Sequence, residues 1–365
     1  MQIEDLVLIK SIGRGSFGEV FLTNKIGFNK QFATKKYKKS IVLKNDKIKK
    51  CFNNEIYILS NISHPNIIKL HEIKRTSNDF YLVFDLCNGG SLNDCLKKYM
   101  KINNNKPFTQ EIVQYIMKQI VSCFQYLHSN KIIHRDIKLE NILIDFENEE
   151  DKNNLNLLKC KVKIIDFGFA RYVENNSLAH SILGTLLNMA PQILNEVKIN
   201  KRKKVPMTCE LCMDNTFHLV EKKKENKSIG YDEKADIWSL GTICYEMLIG
   251  SPLFNADKFE NFNADNFENF KKKVNNGNYN IPNNLHLSIE AILFLNSMLQ
   301  YEPYLRVDIN TLAKHKFLTL DPKNFTPVNT NKIQQKFSDD KLVLNIKYLK
   351  DSVFSIFEDW NEIDN

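Results

Sequence analysis

Three polar side chains, Asp136, Asn141 and Asp166, are of the types and in the order that phosphoryl transfer needs. The first two lie in His134-Arg135-Asp136-Ile137-Lys138-Leu139-Glu140-Asn141 and the third in Asp166-Phe167-Gly168. A carboxylate at Asp136 can orient an attacking hydroxyl and take its proton. The amide of Asn141 and the carboxylate of Asp166 can hold Mg²⁺ on the phosphates of a nucleotide. Asp-Phe-Gly alone is a weak signal. Both segments at this separation are a specific one.

Such groups need a phosphate cradle and a scaffold to carry it. Ile12-Gly13-Arg14-Gly15-Ser16-Phe17-Gly18-Glu19-Val20 has the spacing G-x-G-x-x-G-x-V. Glycines there let backbone N–H groups approach phosphate oxygens with no Cβ in the way. A dinucleotide-binding turn has similar glycines but opens a helix. Here Leu6-Val7-Leu8-Ile9 leads in and Glu19-Val20-Phe21-Leu22-Thr23 leads out, which predicts a β-hairpin. Phe32-Ala33-Thr34-Lys35 reads as the next strand, and alternation sends Lys35 and Lys36 to opposite faces. Ile56, Leu59 and Ile62 recur at helical spacing on a segment that also carries Glu55.

These segments match H-R-D-L-x-x-x-N with Ile for Leu, then D-F-G, a glycine-rich loop and a degraded V-A-I-K. The chain therefore resembles the eukaryotic protein kinase family, from about Glu4 to Leu318. The resemblance implies an α+β bilobal fold. A small β-rich N-lobe with one regulatory helix would span 4–85, and a larger, mainly helical C-lobe 88–318. It implies ATP and Mg²⁺, with Asp136 as catalytic base and Asn141 and Asp166 as metal ligands. Lys35 would reach the α/β-phosphates, paired by Glu55. Ile12, Gly13, Arg14, Gly15, Ser16, Phe17, Gly18 and Val20 would cover the nucleotide, with Ala33 over adenine and Leu143 beneath it. Phe84 would be the gatekeeper, and Asp85-Leu86-Cys87 the hinge. Gly184-Thr185 and Met189-Ala190-Pro191-Gln192 resemble the end of the activation segment. Asp236-Ile237-Trp238-Ser239-Leu240-Gly241 resembles the buried helix that anchors the catalytic loop, and Arg306 the residue that ties the segment down.

Lys138, two positions after Asp136, is what kinases resembling this chain carry when they act on Ser or Thr. Protein substrates with those acceptors are implied. Glu140 stands where basophilic relatives contact an Arg ahead of the phosphosite. Arg135 would receive an activation-loop phosphate; Ser181 is the expected acceptor, ahead of Ser177, and Thr185 should be needed unmodified. Asp166-Phe167-Gly168-Phe169-Ala170-Arg171-Tyr172 and Cys87-Asn88-Gly89-Gly90-Ser91-Leu92 look like the Unc-51-like kinases. A calcium/calmodulin-dependent-like kinase is the competing placement. Two departures, Gln192 for the A-P-E glutamate and Thr34 inside V-A-I-K, keep open a pseudokinase acting as a nucleotide-binding scaffold. Neither removes a group used in the chemistry.

At 365 residues, 43% hydrophobic and 26% charged, the chain can bury a large core. Its 8 cysteines are scattered, mostly in apolar runs, which predicts reduced thiols and an intracellular, cytoplasmic protein. The first residues carry no signal-peptide pattern, and no run has the ~18 apolar residues that a membrane span needs. The net charge of +8 sits largely in Lys-rich loops and no nucleic-acid motif accompanies it, so no nucleic-acid partner is expected. Insertions are expected at 145–159, 200–229 and 254–270. The second includes Lys201-Arg202-Lys203-Lys204, a nuclear signal or partner patch, and Cys209-Glu210-Leu211-Cys212, whose single pair favours no metal over zinc. The third is a tandem octapeptide, read as loop or lengthened helix. A linker is expected over 319–341 and an amphipathic helix over 342–361, packed on the C-lobe or docking a regulatory partner.

Overall fold

The computed structural model describes residues 2–15, 18–172, 186–196, 232–254, 264–282, 285–327 and 341–345. The N-lobe is a six-stranded antiparallel sheet in the order β1-β2-β3-β4-β6-β5. Its strands are β1 (Gln2–Ile3), β2 (Leu6–Gly15), β3 (Gly18–Lys25), β4 (Gln31–Lys38), β5 (Leu70–Arg75) and β6 (Asp79–Asp85). The expected hairpin forms, with Gly13 opposite Val20 and Gly15 opposite Gly18. Gly18 has a packing reason to be glycine as well, since a Cβ there would lie 2.2 Å from the Lys36 carbonyl oxygen. Between β4 and β5 run a short helix, α1 (Lys39–Lys44), and α2 (Asp46–Asn61). The Asn45 side chain accepts from the Lys47 and Ile48 amides and starts α2. That helix then buries Ile48, Phe52, Glu55, Ile58 and Leu59 against the sheet.

In the C-lobe, α3 (Leu92–Ile102) begins at a Ser91–Asp94 capping box, and α4 (Gln110–Ser129) is capped by Thr109. The short strand β7 (Ile132–Ile133) precedes the catalytic loop, and β8 (Ile142–Asp145) follows it. After α5 (Glu149–Asn153), β9 (Lys161–Ile164) pairs with β8, and β10 (Arg171–Tyr172) pairs with β7. Beyond them come α6 (Pro191–Glu196), α7 (Glu233–Ile249), α8 (Ala264–Asn276), β11 (Asn278–Pro282), α9 (Ile289–Met298), α10 (Ile309–Ala313) and α11 (Lys316–Thr319). Helix α7 carries apolar residues around its whole circumference and is largely buried, Trp238 fully so.

The insertion at 145–159 is a folded unit rather than a plain extended turn. Asn148 and Asn156 each donate to the Asp151 carboxylate at 2.8 Å, which accounts for its run of Asn and acidic residues. The insertion at 200–229 lies outside the described residues. The second copy of the octapeptide enters α8, whose Phe267 and Phe270 are buried, so the lengthened-helix reading applies there.

The tail departs from expectation at its start. Lys341–Asn345 is a strand, β12, antiparallel to β11, with Tyr279 opposite Leu344 and Asn280 opposite Val343. An amphipathic helix beginning at residue 342 is therefore corrected. Leu342-Val343-Leu344 suits a strand as well as a helix, and β11 offers unpaired backbone N–H and C=O groups that a local periodicity cannot register. Residues 346–361 of the expected helix lie outside the described residues.

Arg306 is 1% exposed and ties α6 to α7. Its guanidinium donates to the carbonyls of Gln300, Lys234 and Tyr301 and, at 2.9 Å, to Gln192 Oε1, and it lies 5.1 Å from the Trp238 ring. Gln192 Nε2 is buried with no hydrogen-bond partner. Burial lowers the Arg306 pKa to about 9 although the Asp232 and Glu302 charges oppose it, and among the described residues no carboxylate forms an ion pair with the guanidinium. Gln192→Glu would remove the orphaned donor and place an anion on a buried guanidinium. We expect it to raise the melting temperature, by about 1–2 kcal/mol of stability. A fall measured by thermal unfolding would show that the site rejects a second charge.

Candidate active site

The catalytic loop hangs from α7 by one carboxylate. Asp236 Oδ2 accepts from the His134 amide at 2.9 Å, and Oδ1 from the Arg135 amide at 3.0 Å. His128 Nε2 lies 3.1 Å from the same Oδ2. Burial works to raise the Asp236 pKa, but His128 and the two amides outweigh it and hold the group below the ordinary carboxylate range. This bracket keeps Arg135 at φ 70°, a left-handed conformation that costs a non-glycine residue about 1 kcal/mol or more. Arg135 Nε also donates to the Phe169 carbonyl at 2.7 Å, joining the loop to the start of the activation segment.

Within the loop, Asn141 Nδ2 donates to Asp136 Oδ2 at 3.0 Å and to its backbone oxygen at 2.8 Å. Lys138 Nζ lies 3.2 Å from the same Asp136 Oδ2. Asp136 is thus oriented from two sides while 2% exposed. With the Asn141 amide nitrogen committed to Asp136, its carbonyl oxygen is the atom that would ligate a cation, and Mg²⁺ takes oxygen ligands. The donor set of one amide oxygen and the Asp166 carboxylate therefore fits Mg²⁺ held jointly by protein and phosphates.

Asp166 sits at φ 64° in the turn that carries it. His134 fastens that turn: its ring lies 4.9 Å from the Phe167 ring, and its Nε2 lies 3.2 Å from the Ile165 carbonyl. Burial holds the imidazole pKa below its ordinary value despite the surrounding carboxylates of Asp236, Asp136 and Asp166. A neutral ring with the proton on Nε2 donates to Ile165 and leaves Nδ1 to accept from the Asp136 amide at 3.4 Å.

Lys35 and Glu55 are joined as expected, with Nζ 3.2 Å from Oε1 and 3.3 Å from Oε2. Burial opposes the lysine's charge, but Glu55, then Tyr37 and Asp166, raise its pKa well above the usual value. Lys36 points the other way and pairs with Asp79 at 3.1 Å, so strand alternation separates the two lysines correctly.

Of the residues expected to line a nucleotide cleft, Val20, Ala33, Cys87 and Leu143 are half-buried, and Phe84 is 7% exposed and opposite Ala33 in the sheet. Ile12 is 44% exposed at the rim. The Asp85 carboxylate is engaged by Lys30 at 2.9 Å and His71 at 2.8 Å, so a nucleotide base here could bond the backbone of this segment rather than that carboxylate. Burial pushes the Cys87 thiol up to about 12, which makes it a poor nucleophile. Ser16 and Phe17 at the hairpin tip lie outside the described residues, as do Ser177, Ser181 and Thr185.

Sequence reasoning missed three residues at this site. Tyr37 donates to Glu55 itself, and Asn54 donates to the Phe167 carbonyl in the turn after Asp166; Tyr37, two after Lys35, shares its strand face and could have been flagged. Glu246 on α7 is the third: burial first, then the nearby Glu140 charge, push its carboxyl up to about 7, with Lys97 opposing. No local pattern marks Glu246, because Glu140 lies far away in sequence.

The protein kinase domain family model matches residues 6–208 and 217–318. Among curated proteins, the chain is 28% identical over 363 residues to the serine/threonine-protein kinase ATG1 of Kluyveromyces marxianus, covering 92% of this chain and 39% of that protein. It is 31% identical over 315 residues to calcium-dependent protein kinase 4 of Plasmodium berghei, covering 86% and 49%. It is 29% identical over 324 residues to the serine/threonine-protein kinase atg1 of Dictyostelium discoideum, covering 88% and 40%. The chain thus spans less than half the length of each of these relatives.

Proposed function

The chain belongs to the protein kinase domain family, and on that premise we propose that it is an ATP-dependent Ser/Thr protein kinase with Asp136 as catalytic base. The observation that carries this reading is the carboxylate of Asp136, held by Asn141 and Lys138 beside the Asp166 turn. Mg-ATP supplies the γ-phosphoryl group when bound. Asp136 orients the substrate hydroxyl and receives its proton, while Lys138 places a positive charge on the transferring phosphoryl group. Lys35, held by Glu55, positions the phosphates, and the hinge backbone positions the base. A phosphate on Ser181, received by Arg135, completes the reading as a mode of control.

The pseudokinase alternative keeps nucleotide binding and drops turnover. Transfer of labelled phosphate to a generic basic protein separates the two, with Asp136→Asn as control. Equal signal from both proteins removes the enzyme reading. Phosphotyrosine as the sole product of an active protein removes the Ser/Thr assignment.

Glu140 and Glu246 support basic peptides as substrates. Asn93 Nδ2 holds Glu140 Oε1 at 2.9 Å, and Glu246 lies half-buried near it. A carboxyl raised to about 7 is about half protonated at neutral pH, and a cationic side chain binds its ionised form. Affinity for an Arg-containing peptide should therefore rise as pH increases through about 7. The KM for such a peptide is expected to fall several-fold from pH 6 to 8, and Glu246→Gln to flatten that profile. A slope that survives the substitution would assign the titration to another group.

A further inference from the structure

Glu55 has a second donor that the kinase reading does not use. Tyr37 donates from its hydroxyl to Glu55 Oε2 at 2.6 Å, well short of the 3.2 and 3.3 Å by which Lys35 reaches the two carboxylate oxygens. The hydroxyl is where the ring puts it, and the ring is fixed by packing. Tyr37 is 1% exposed, its ring meets Phe52 of α2 edge-on at 5.0 Å, and it stands opposite Phe80 in the sheet. Lys35 Nζ lies 5.1 Å from the centre of the same ring. Tyr37 therefore touches both members of the ion pair, and on β4 it lies two residues beyond Lys35, on the same face.

Lys35 has two tasks, because the ammonium that pairs with Glu55 must also meet the phosphates. A carboxylate that relied on Lys35 alone would be left poorly compensated, at 4% exposure, whenever the lysine turned to the nucleotide. The tyrosine hydroxyl takes no part in phosphate binding and can hold the carboxylate throughout.

Resting on the kinase reading of this site, we propose that Tyr37 is a positioning residue: its hydroxyl latches Glu55, and with it α2, to the sheet, so that Lys35 is presented to the phosphates. A companion contact agrees with α2 being fastened at this point. Asn54, next to Glu55, donates to the carbonyls of Phe167 and Gly168 at 3.2 and 3.1 Å and to that of Ala170, joining α2 to the turn that carries Asp166.

The test compares four proteins: wild type, Tyr37→Phe, Glu55→Leu and the double variant. Each is measured for its dissociation constant for Mg-ATP, for kcat and KM with ATP, and for melting temperature. Tyr37→Phe keeps the ring and its packing and removes only the hydroxyl. We expect it to weaken Mg-ATP binding or lower kcat/KM by about tenfold in the wild-type background, and to add less than about twofold to Glu55→Leu, which has no acceptor for the hydroxyl. A merely structural role would lower the melting temperature equally in both backgrounds and leave no such coupling. Unchanged binding and kinetics in Tyr37→Phe, or equal losses in both backgrounds, would overturn the proposal. The dissociation constants are readable without turnover, so wild type that binds Mg-ATP and transfers nothing would fail the kinase reading while still deciding this one.

Discussion

Asp136→Asn is expected to lower phosphoryl transfer by about a thousandfold, with the melting temperature and Mg-ATP affinity close to those of wild type. The amide has the size and shape of the carboxylate, and its oxygen can still accept from Asn141 Nδ2 and Lys138 Nζ. It cannot take the proton of a substrate hydroxyl, and it carries no charge to orient one. The loop itself does not depend on that charge, since Asp236 holds the His134 and Arg135 amides independently. Initial rates under saturating ATP, alongside an unfolding curve, check the expectation. Loss of activity together with a collapse of the fold would make Asp136 a structural residue instead.

Lys35→Met should reduce transfer by about a hundredfold or more while the protein stays folded. The ammonium stands in the cleft, so its removal opens no cavity in the core, and methionine keeps most of the apolar stem. The partner left behind is Glu55, buried at 4% exposure, which would lose its cation. It keeps the Tyr37 hydroxyl as a donor at 2.6 Å, so the buried carboxylate is not left without a partner. The damage should therefore appear as weaker Mg-ATP binding and a lower kcat, not as unfolding. Thermal unfolding that drops in step with activity would contradict this division between chemistry and stability.

The sequence by itself singled out residues that the fold then brings together. Asn141 bonds Asp136, Lys35 pairs with Glu55, and the β2–β3 hairpin forms. These were legible because each belongs to a short local motif, where the type and spacing of neighbours along the chain single it out. Period two sent Lys35 and Lys36 apart, and period 3.6 put Glu55 on a buried face. Tertiary structure alone decided the rest. That Asp236 brackets the loop, that His134 is neutral, that Glu246 titrates near neutrality and that Tyr37 grips Glu55 all depend on segments distant in the chain meeting in a dry place. The tail went the same way: Lys341–Asn345 has a local pattern that suits helix or strand, and the free edge of β11 selected strand. Desolvation and the pairing of distant backbones are properties of what a residue is placed against, and neither is written in the spacing of its own neighbours.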